Sequence, residues 1–379
     1  MGFISGLSRA MTGPRYTKLA QSLPANVPFV GPEVQERDMG KPFRARLGAN
    51  ESVFGPSPKA IEAMAQAAHD IWKYADSTNF ALKNALAEQI GGTPDNIVLG
   101  CGIDGLLGEL VRLLIEPGDA VVTSDGAYPT FNYHVVGFGG ALHKVPFKND
   151  HEDFDALLDK AAEVDAKLIY LANPDNPMGS WHTGDVIKAA LDRIPDGALL
   201  CLDEAYIEFA PDGTAPDIAL DDPRVIRFRT FSKAYGMAGA RVGYGFGHID
   251  LIKNFDKIRN HFGMNRAAQD GALAALQDQE WLAHVQSEVA RSKNRIAAIA
   301  QANGLSPLPS ATNFVTIDCG SDGAFAVAMV KALGELGVFV RMPFQAPQNR
   351  CIRISAGTDA DLDVLEEALP KALAKVRGA

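Results

Sequence analysis

The sequence predicts an α/β protein with a large domain built on a mostly parallel sheet and a smaller α+β domain. Three observations predict it. Short apolar runs alternate with longer amphipathic stretches between residues 96 and 246, the βαβ signature of a sheet covered on both faces. Several of these runs end in Gly, Asn-Pro or Asp-Glu, at the strand C-termini where open α/β sheets bind ligands. After about Ile258 the alternation stops and a long helical pattern takes over.

Residues 1–54 are read as an N-terminal arm and part of the small domain. Pro14, Pro24, Pro28, Pro32 and Pro42 argue against regular structure there and for a segment wrapping over the small domain or a neighbouring subunit. Residues 55–262 form the large domain. In it Asn96–Leu99, Ala120–Thr123, Leu168–Leu171, Ala198–Leu202, Val225–Phe228 and Val242–Phe246 read as strands. Amphipathic Leu106–Ile115 and Asp153–Ala162 lie between them as helices. Residues 263–379 form the small domain. A helical region from about Asn265 to Asn303 leads to strand Phe314–Ile317, helix Ala324–Leu336, strands Val338–Arg341 and Cys351–Ser355, and a last helix from Asp359.

A chain of 379 residues with 47% hydrophobic and 22% charged residues has the proportions of a globular protein, which excludes disorder, collagen-like repeats and coiled coil. With 36 Lys and Arg against 46 Asp and Glu, the net charge of −10 offers no global positive field to a nucleic-acid backbone. No apolar run approaches the roughly 20 residues that span a bilayer. The opening MGFISGLSRAM has no basic stretch followed by an apolar core of signal-peptide length, and Gly6 stands where myristoylation needs Ser or Thr. A cytoplasmic protein is expected. Cys101, Cys201, Cys319 and Cys351 form no CxxC pair and read as buried free thiols. The eight histidines show no metal-ligand spacing, so no metal is expected.

Gly100-Cys101-Gly102-Ile103-Asp104-Gly105 is a literal G-x-G-x-x-G after an expected strand, with Asp125 following at about the distance of a ribose-binding acid. Against a dinucleotide site, about 95 residues of other structure precede the motif, whereas the fingerprint usually opens its domain. Asp125 also runs into Gly126-Ala127-Tyr128-Pro129-Thr130-Phe131, a specialised loop. Either way, backbone N–H groups at a helix N-terminus form an anion site here.

The most informative stretch runs from Thr230 through Ser232, Lys233, Gly236 and Gly239 to Arg241. Hydroxyls, glycines and Arg241 together suit a phosphate dianion and bring the Lys233 amine beside whatever carries it. A lysine beside a cofactor aldehyde forms a Schiff base, and its amine then shuttles protons. Asp203, in Leu202-Asp203-Glu204-Ala205-Tyr206, can keep a pyridine nitrogen protonated, although Asp203-Glu204 taken alone is equally a helix-capping or surface pair. Tyr206 is near enough to bond the ring's phenolic oxygen. Asn173-Pro174-Asp175-Asn176-Pro177-Met178-Gly179 is a turn by composition, and only the Asn176 side chain carries a functional claim.

In that order and spacing, NPDNPMG, LDEAY and SKAYGMAGARVGY resemble the fold type I pyridoxal-5′-phosphate (PLP) aminotransferases, and more narrowly their histidinol-phosphate aminotransferase branch. Leu47-Gly48-Ala49-Asn50-Glu51 with Gly55-Pro56-Ser57-Pro58 is similar to that branch's substrate-side loop, Gly102–Gly105 to its phosphate loop, and Cys351–Thr358 to its C-terminal arginine motif. The resemblance runs from about residue 20 to the end. It implies a mostly parallel seven-stranded sheet, a PLP cofactor, and transfer of an amino group from a donor to a 2-oxo acid in two half-reactions. It also implies roles. Lys233 would form the Schiff base and move the proton, and Asp203 would pair with the pyridinium. Asn176 and Tyr206 would bond the phenolic oxygen, and Phe131 would stack on the ring. Gly102, Ile103, Asp104, Thr230, Ser232 and Arg241 would hold the phosphate. Tyr74 would reach the cofactor phosphate of a neighbouring subunit, completing the site in a homodimer. Arg353 would bind the substrate's anionic end, with Arg341 as a second candidate, and Asn50 and Phe29 would lie on the substrate side.

The sequence also departs from this branch. Val27-Pro28-Phe29 carries Phe29 where relatives that handle histidinol phosphate usually have a phosphate-binding tyrosine, and Gly105 replaces an acidic residue. Both departures favour a substrate without a phosphate, such as an aromatic amino acid. A PLP decarboxylase or lyase keeps the same cofactor residues, and a PLP-binding regulator lacks support in the absence of a DNA-binding extension. The donor, the acceptor and the pathway stay open at this level.

Overall fold

The computed structural model of the chain describes residues 13–25 and 30–378. Seven strands, β1 (Ile97–Gly100), β2 (Ala120–Ser124), β3 (Ala141–Val145), β4 (Leu168–Ala172), β5 (Leu199–Asp203), β6 (Val225–Thr230) and β7 (Gly243–Gly247), form one sheet in the order β1-β7-β6-β5-β4-β2-β3. Strand β7 runs antiparallel to β1 and β6, while β2 to β6 pair in parallel. Strands β4 and β5 are buried along their whole length, as near-continuous apolar runs in a parallel sheet should be. The period of two sends Tyr170 to one face, among Leu106, Phe131 and Phe228, and Ile169 to the other, among Phe154, Leu158 and Leu200.

Strand β3 had no counterpart in the reading of apolar runs. Its sequence Ala-Leu-His-Lys-Val buries only Val145, because it closes one edge of the sheet, where polar side chains are tolerated and discourage pairing with another chain. Among the described residues, the small domain holds an antiparallel sheet of Ser306–Pro307, Phe314–Asp318 and Cys351–Ser355, and a parallel pairing of Ala45–Arg46 with Val338–Phe339. Ala45 and Leu47 join Ile296, Leu333 and Leu365 in its core.

The helical region after residue 262 is two helices, Arg266–Gln277 and Gln279–Ala302, separated by Asp278 at φ −96° and ψ 68°. The first packs with Leu86, Phe231 and Tyr244 beside the large sheet, as does Leu282, whereas Ile296 and Ile299 belong to the small-domain core. The two cores therefore divide within the second helix, later than the expected boundary at 262/263. A helical period shows that a face is apolar but not which body it covers.

The proline-rich arm is more regular than expected, with helices at Lys18–Ser22 and Pro32–Met39. Pro32 opens its helix at the first position, where a missing N–H costs nothing. Ion pairs from Arg46 to Glu33 and Glu36 and a bond from the Arg341 guanidinium to the Val30 carbonyl tie residues 30–39 to the small domain. Cys201, Cys319 and Cys351 are buried free thiols, but Cys101 is exposed; it sits at the N-cap of helix Gly102–Leu114 rather than in the apolar core. No helix among the described residues is long and apolar enough to cross a membrane, and no cluster of His, Cys, Asp and Glu among them could hold a metal ion.

Candidate active site

A cavity of about 450 Å³ opens at the C-terminal ends of β4, β5 and β6, where the topology of an open α/β sheet places a ligand site. The sheet contributes Asp203 and Thr230 as the last residues of β5 and β6. The loop after β6 contributes Ser232, Lys233 and Arg241, and the loop after β4 contributes Asn176. From the small-domain side come Asn50, Arg341 and Arg353, whose strands bridge at Arg341 and Arg353. Ile103, Asp104 and Tyr206 complete the expected residues on the wall.

At one end the cavity is built for an anion. Arg241 donates through Nη1 to the Ala238 carbonyl at 3.0 Å and to Ser232 Oγ at 3.4 Å, and through Nη2 to the Cys101 carbonyl at 3.5 Å. Among the described residues no carboxylate pairs with it, while Thr230 Oγ1 and Ser232 Oγ lie 2.9 Å apart beside it. The N-terminus of helix Gly102–Leu114 faces the same place, adding its dipole. Gly102 is off the cavity wall but supports it: a Cβ there would stand 2.3 Å from Arg241 Nη2, at a φ of +76°. Gly236 allows a second close approach, since a Cβ there would meet the Gly55 carbonyl at 2.3 Å.

At the other end lies a buried carboxylate. Asp203 Oδ2 accepts from Tyr170 Oη at 2.7 Å and Oδ1 from the Ala205 amide at 3.0 Å, and no Lys or Arg among the described residues pairs with it. Burial pushes its carboxyl up to about 6 against the pull of those two bonds. A cationic ring nitrogen arriving beside it would reverse that shift. Its neighbour Glu204 points the other way, wholly buried between Arg227 at 2.6 Å and Arg229 at 2.8 Å. Burial opposes its ionisation, but the two guanidinium charges hold the carboxyl below its ordinary value. Asp203-Glu204 is thus neither a cap nor a surface pair. Truncating Glu204 would strand two buried cations, a cost of about 3–5 kcal/mol.

Between these ends the Lys233 amine donates to the Asn50 carbonyl at 3.1 Å and lies 5.6 Å from the centre of the Tyr206 ring. Burial, then the Arg353 charge, brings it down to about 8. About a tenth of it is therefore neutral and nucleophilic at pH 7. Tyr206 Oη accepts from Asn50 Nδ2 at 3.1 Å and Asn176 Nδ2 at 3.4 Å, which leaves its own proton for a ligand oxygen. Arg353 donates to Asn176 Oδ1 and, at 3.1 Å, to the Gly48 carbonyl. Its Nε has no partner among the described residues, and its guanidinium lies 5.2 Å from the Phe314 ring. A half-buried guanidinium that ion-pairs with no carboxylate among the described residues is an anion receiver.

Phe131 and Tyr74 lie elsewhere. Phe131 is fully buried in the core, stacked on Tyr170 at 4.5 Å. It occupies the first turn of helix Pro129–Gly137 and faces the sheet, while Tyr128, extended before Pro129, lines the cavity instead. Tyr74 is 80% exposed, with its ring 4.9 Å from Phe262 and away from this cavity. Phe29 lies outside the described residues. Gly105 is also off the wall, with Cys101 Cβ 3.5 Å from where a Cβ would stand.

Tyr170 was absent from the expected set, because its partner Asp203 is 33 residues away and an aromatic in a buried strand reads as core. Its hydroxyl lowers the Asp203 carboxyl, so Tyr170→Phe should raise it further. Apparent cofactor affinity, which the ionised Asp203 strengthens by up to about tenfold, should then begin to weaken at a higher pH as acid is added. Titration of cofactor binding between pH 5 and 8 checks this; superimposable profiles for the variant and the parent would rule it out.

The chain belongs to the family of aminotransferases of class I and II, whose model matches residues 45–369. Histidinol-phosphate aminotransferase 2 of Carboxydothermus hydrogenoformans is 35% identical to it over 347 residues, 90% of this chain and 94% of that protein. Histidinol-phosphate aminotransferase 2 of Pseudomonas fluorescens is 32% identical over 376 residues, covering 98% of this chain and 100% of that one. The crystal structure of histidinol-phosphate aminotransferase from Sinorhizobium meliloti in complex with pyridoxal-5′-phosphate matches with a TM-score of 0.93 and 53% identity, over 97% of this chain and 99% of that one.

Proposed function

We propose that the protein is a PLP-dependent aminotransferase of the histidinol-phosphate type, moving an amino group from an amino donor to a 2-oxo acid by a ping-pong mechanism. The observation that carries this reading is the single wall that presents an unpaired Arg241 with two hydroxyls, the lowered Lys233 amine, and the buried Asp203 carboxylate. These residues fit PLP: Arg241, Ser232, Thr230 and the helix N-terminus for its phosphate, Asp203 for its ring nitrogen, and Tyr206 with Asn176 for its phenolic oxygen. When bound, PLP supplies an aldehyde carbon that condenses with amines and a ring that accepts an electron pair. Lys233 offers the amine and then holds or returns a proton at Nζ. Tyr128, which lines the cavity where Phe131 does not, would cover the ring.

The same wall offers Arg353 and Arg341 to the substrate's anionic groups, and the similarity to histidinol-phosphate aminotransferases supports a phosphate there. Phe29, in place of the usual tyrosine, favours the second reading, an aromatic amino-acid aminotransferase. Purified protein supplied with PLP should lose its visible cofactor band when histidinol phosphate is added and regain it with 2-oxoglutarate. Exchange with phenylalanine alone would favour the second reading, and release of CO2 would replace both with a decarboxylase. Arg353→Ala should raise KM for the anionic donor by about 10–100-fold, the worth of a buried charge-assisted pair; an unchanged KM would remove Arg353 from the substrate site.

The reading includes a homodimer with shared sites and a cytoplasmic location. Ile71, Trp72, Tyr74, Phe80 and Phe262 are all more than half exposed, a concentration of apolar side chains that suits a second copy, and it would bring Tyr74 to the partner's phosphate end. Three buried free cysteines fit a reducing compartment. A sedimentation mass of one chain at micromolar concentration would overturn the dimer.

A further inference from the structure

Behind the cavity wall lie two carboxyl groups that the proposed chemistry does not use. Glu152 and Asp175 are 2% and 1% exposed. Glu152 Oε2 accepts from Ser124 Oγ at 2.6 Å and Oε1 from the Ala172 amide at 3.1 Å. Its carbonyl meets His182 Nε2 at 2.8 Å. Asp175 Oδ2 accepts from the Met178 amide at 2.8 Å, and the Asp175 main chain closes the loop through Ser180 and Gly179. Its Oδ1 is buried and receives no N–H or alcohol O–H from the described residues. The side-chain group that acts on the Asp175 carboxyl by hydrogen bonding is the Glu152 carboxyl. Two neighbouring buried carboxylates that no Lys or Arg among the described residues ion-pairs do not readily ionise together, and a hydrogen bond between them exists only if one keeps its proton.

We propose that Glu152 is a positioning residue that works as a neutral acid, its carboxyl proton bridging to Asp175 and locking the loop that aims Asn176 at Tyr206 and Arg353. The assignment of the proton follows from what surrounds each group. Asp175 has the Met178 amide and lies within reach of the Arg353 charge, both of which favour its anion. Burial raises the Glu152 carboxyl, and the negative charges of Asp175 and Asp203 raise it further. The lock acts directly on the site. Asn176, the next residue after Asp175, bonds both Tyr206 Oη and the Arg353 guanidinium. A misplacement of about 1 Å in such a group costs on the order of 100-fold in rate.

The positioning half of this proposal rests on the aminotransferase reading; the proton half does not. Glutamine at 152 keeps an acceptor for the Ala172 amide and supplies a permanent donor to Asp175, with the Ser124 hydroxyl turning to accept. The holoenzyme E152Q should keep kcat and KM within about twofold of the parent, whereas E152L, close in size but with no polar atom, should lose about 10–100-fold in kcat. Infrared spectra of the two active proteins at neutral pH should differ by one protonated-carboxyl C=O band, present in the parent and absent in E152Q. If E152Q falls as far as E152L, or no such band is lost, Glu152 acts as an anion and the proposal fails. If E152L retains full kcat, the lock is not what positions Asn176. If E152L does not fold, the band and the E152Q kinetics still decide, and the band does so even if no amino transfer is found.

Discussion

Lys233→Ala should abolish amino transfer, with a loss of about 10⁴-fold or more, because one amine provides both the covalent attachment and the proton transfer. The fold should survive. Among the described residues the amine bonds only the Asn50 carbonyl, at 3.1 Å, and ion-pairs with no carboxylate, so its removal relieves a desolvation cost rather than breaking an ion pair. A melting temperature at or slightly above the parent's, together with lost turnover and lost visible absorption of covalently held cofactor, is the expected result. Turnover within tenfold of the parent would show that another group performs the proton transfer. An amine brought down to about 8 by burial and by Arg353 becomes steadily more nucleophilic as pH rises through 8. Capture of the cofactor by the free protein should accelerate over that range and level off above it.

Asp203→Asn should lower kcat by about 10²–10³-fold while PLP still binds, since removing one partner of a buried charge pair costs about 3–5 kcal/mol. Asparagine keeps the size and can keep the bond to the Ala205 amide, so the phosphate cup of Arg241, Ser232 and Thr230 remains in place. What is lost is the negative charge that keeps a ring nitrogen protonated and thereby able to draw electrons from the substrate carbon. The variant should bind PLP within about tenfold of the parent and fail in steady-state assays. Near-normal rates would mean that a different group protonates the ring. Comparison with Tyr170→Phe separates charge from placement, because the tyrosine variant keeps the charge and only shifts the pH at which it appears.

The parts of the site legible in the sequence are those set by short spacing. Thr230, Ser232, Lys233 and Arg241 lie within twelve residues on one strand end and its loop, so backbone connectivity alone brings them near one another. Asp203 and Asn176 were legible because each follows an apolar run whose C-terminal end must face the ligand side of a parallel sheet. Phe131 was misread for a local reason. Pro129 starts a helix, and two residues further on the helical turn directs the ring into the core, while Tyr128 stays extended on the wall. Strand β3 escaped because an edge strand need not be apolar. The boundary at 262 was placed where the pattern changes, but helix Arg266–Gln277 buries its face on the large sheet.

The sequence by itself determined the class of fold, the mostly parallel sheet and the cofactor chemistry, since apolar runs alternating with amphipathic stretches and residues at strand ends are properties of short segments. Tertiary structure alone decided which groups tune that chemistry. Tyr170 reaches Asp203 across adjacent strands, Glu152 bonds the Ala172 amide at the end of β4 and acts on Asp175, and Arg353 reaches Asn176 over 177 residues. Each of these contacts depends on strand order and register, which hydrogen bonds between distant segments fix and which no local pattern encodes.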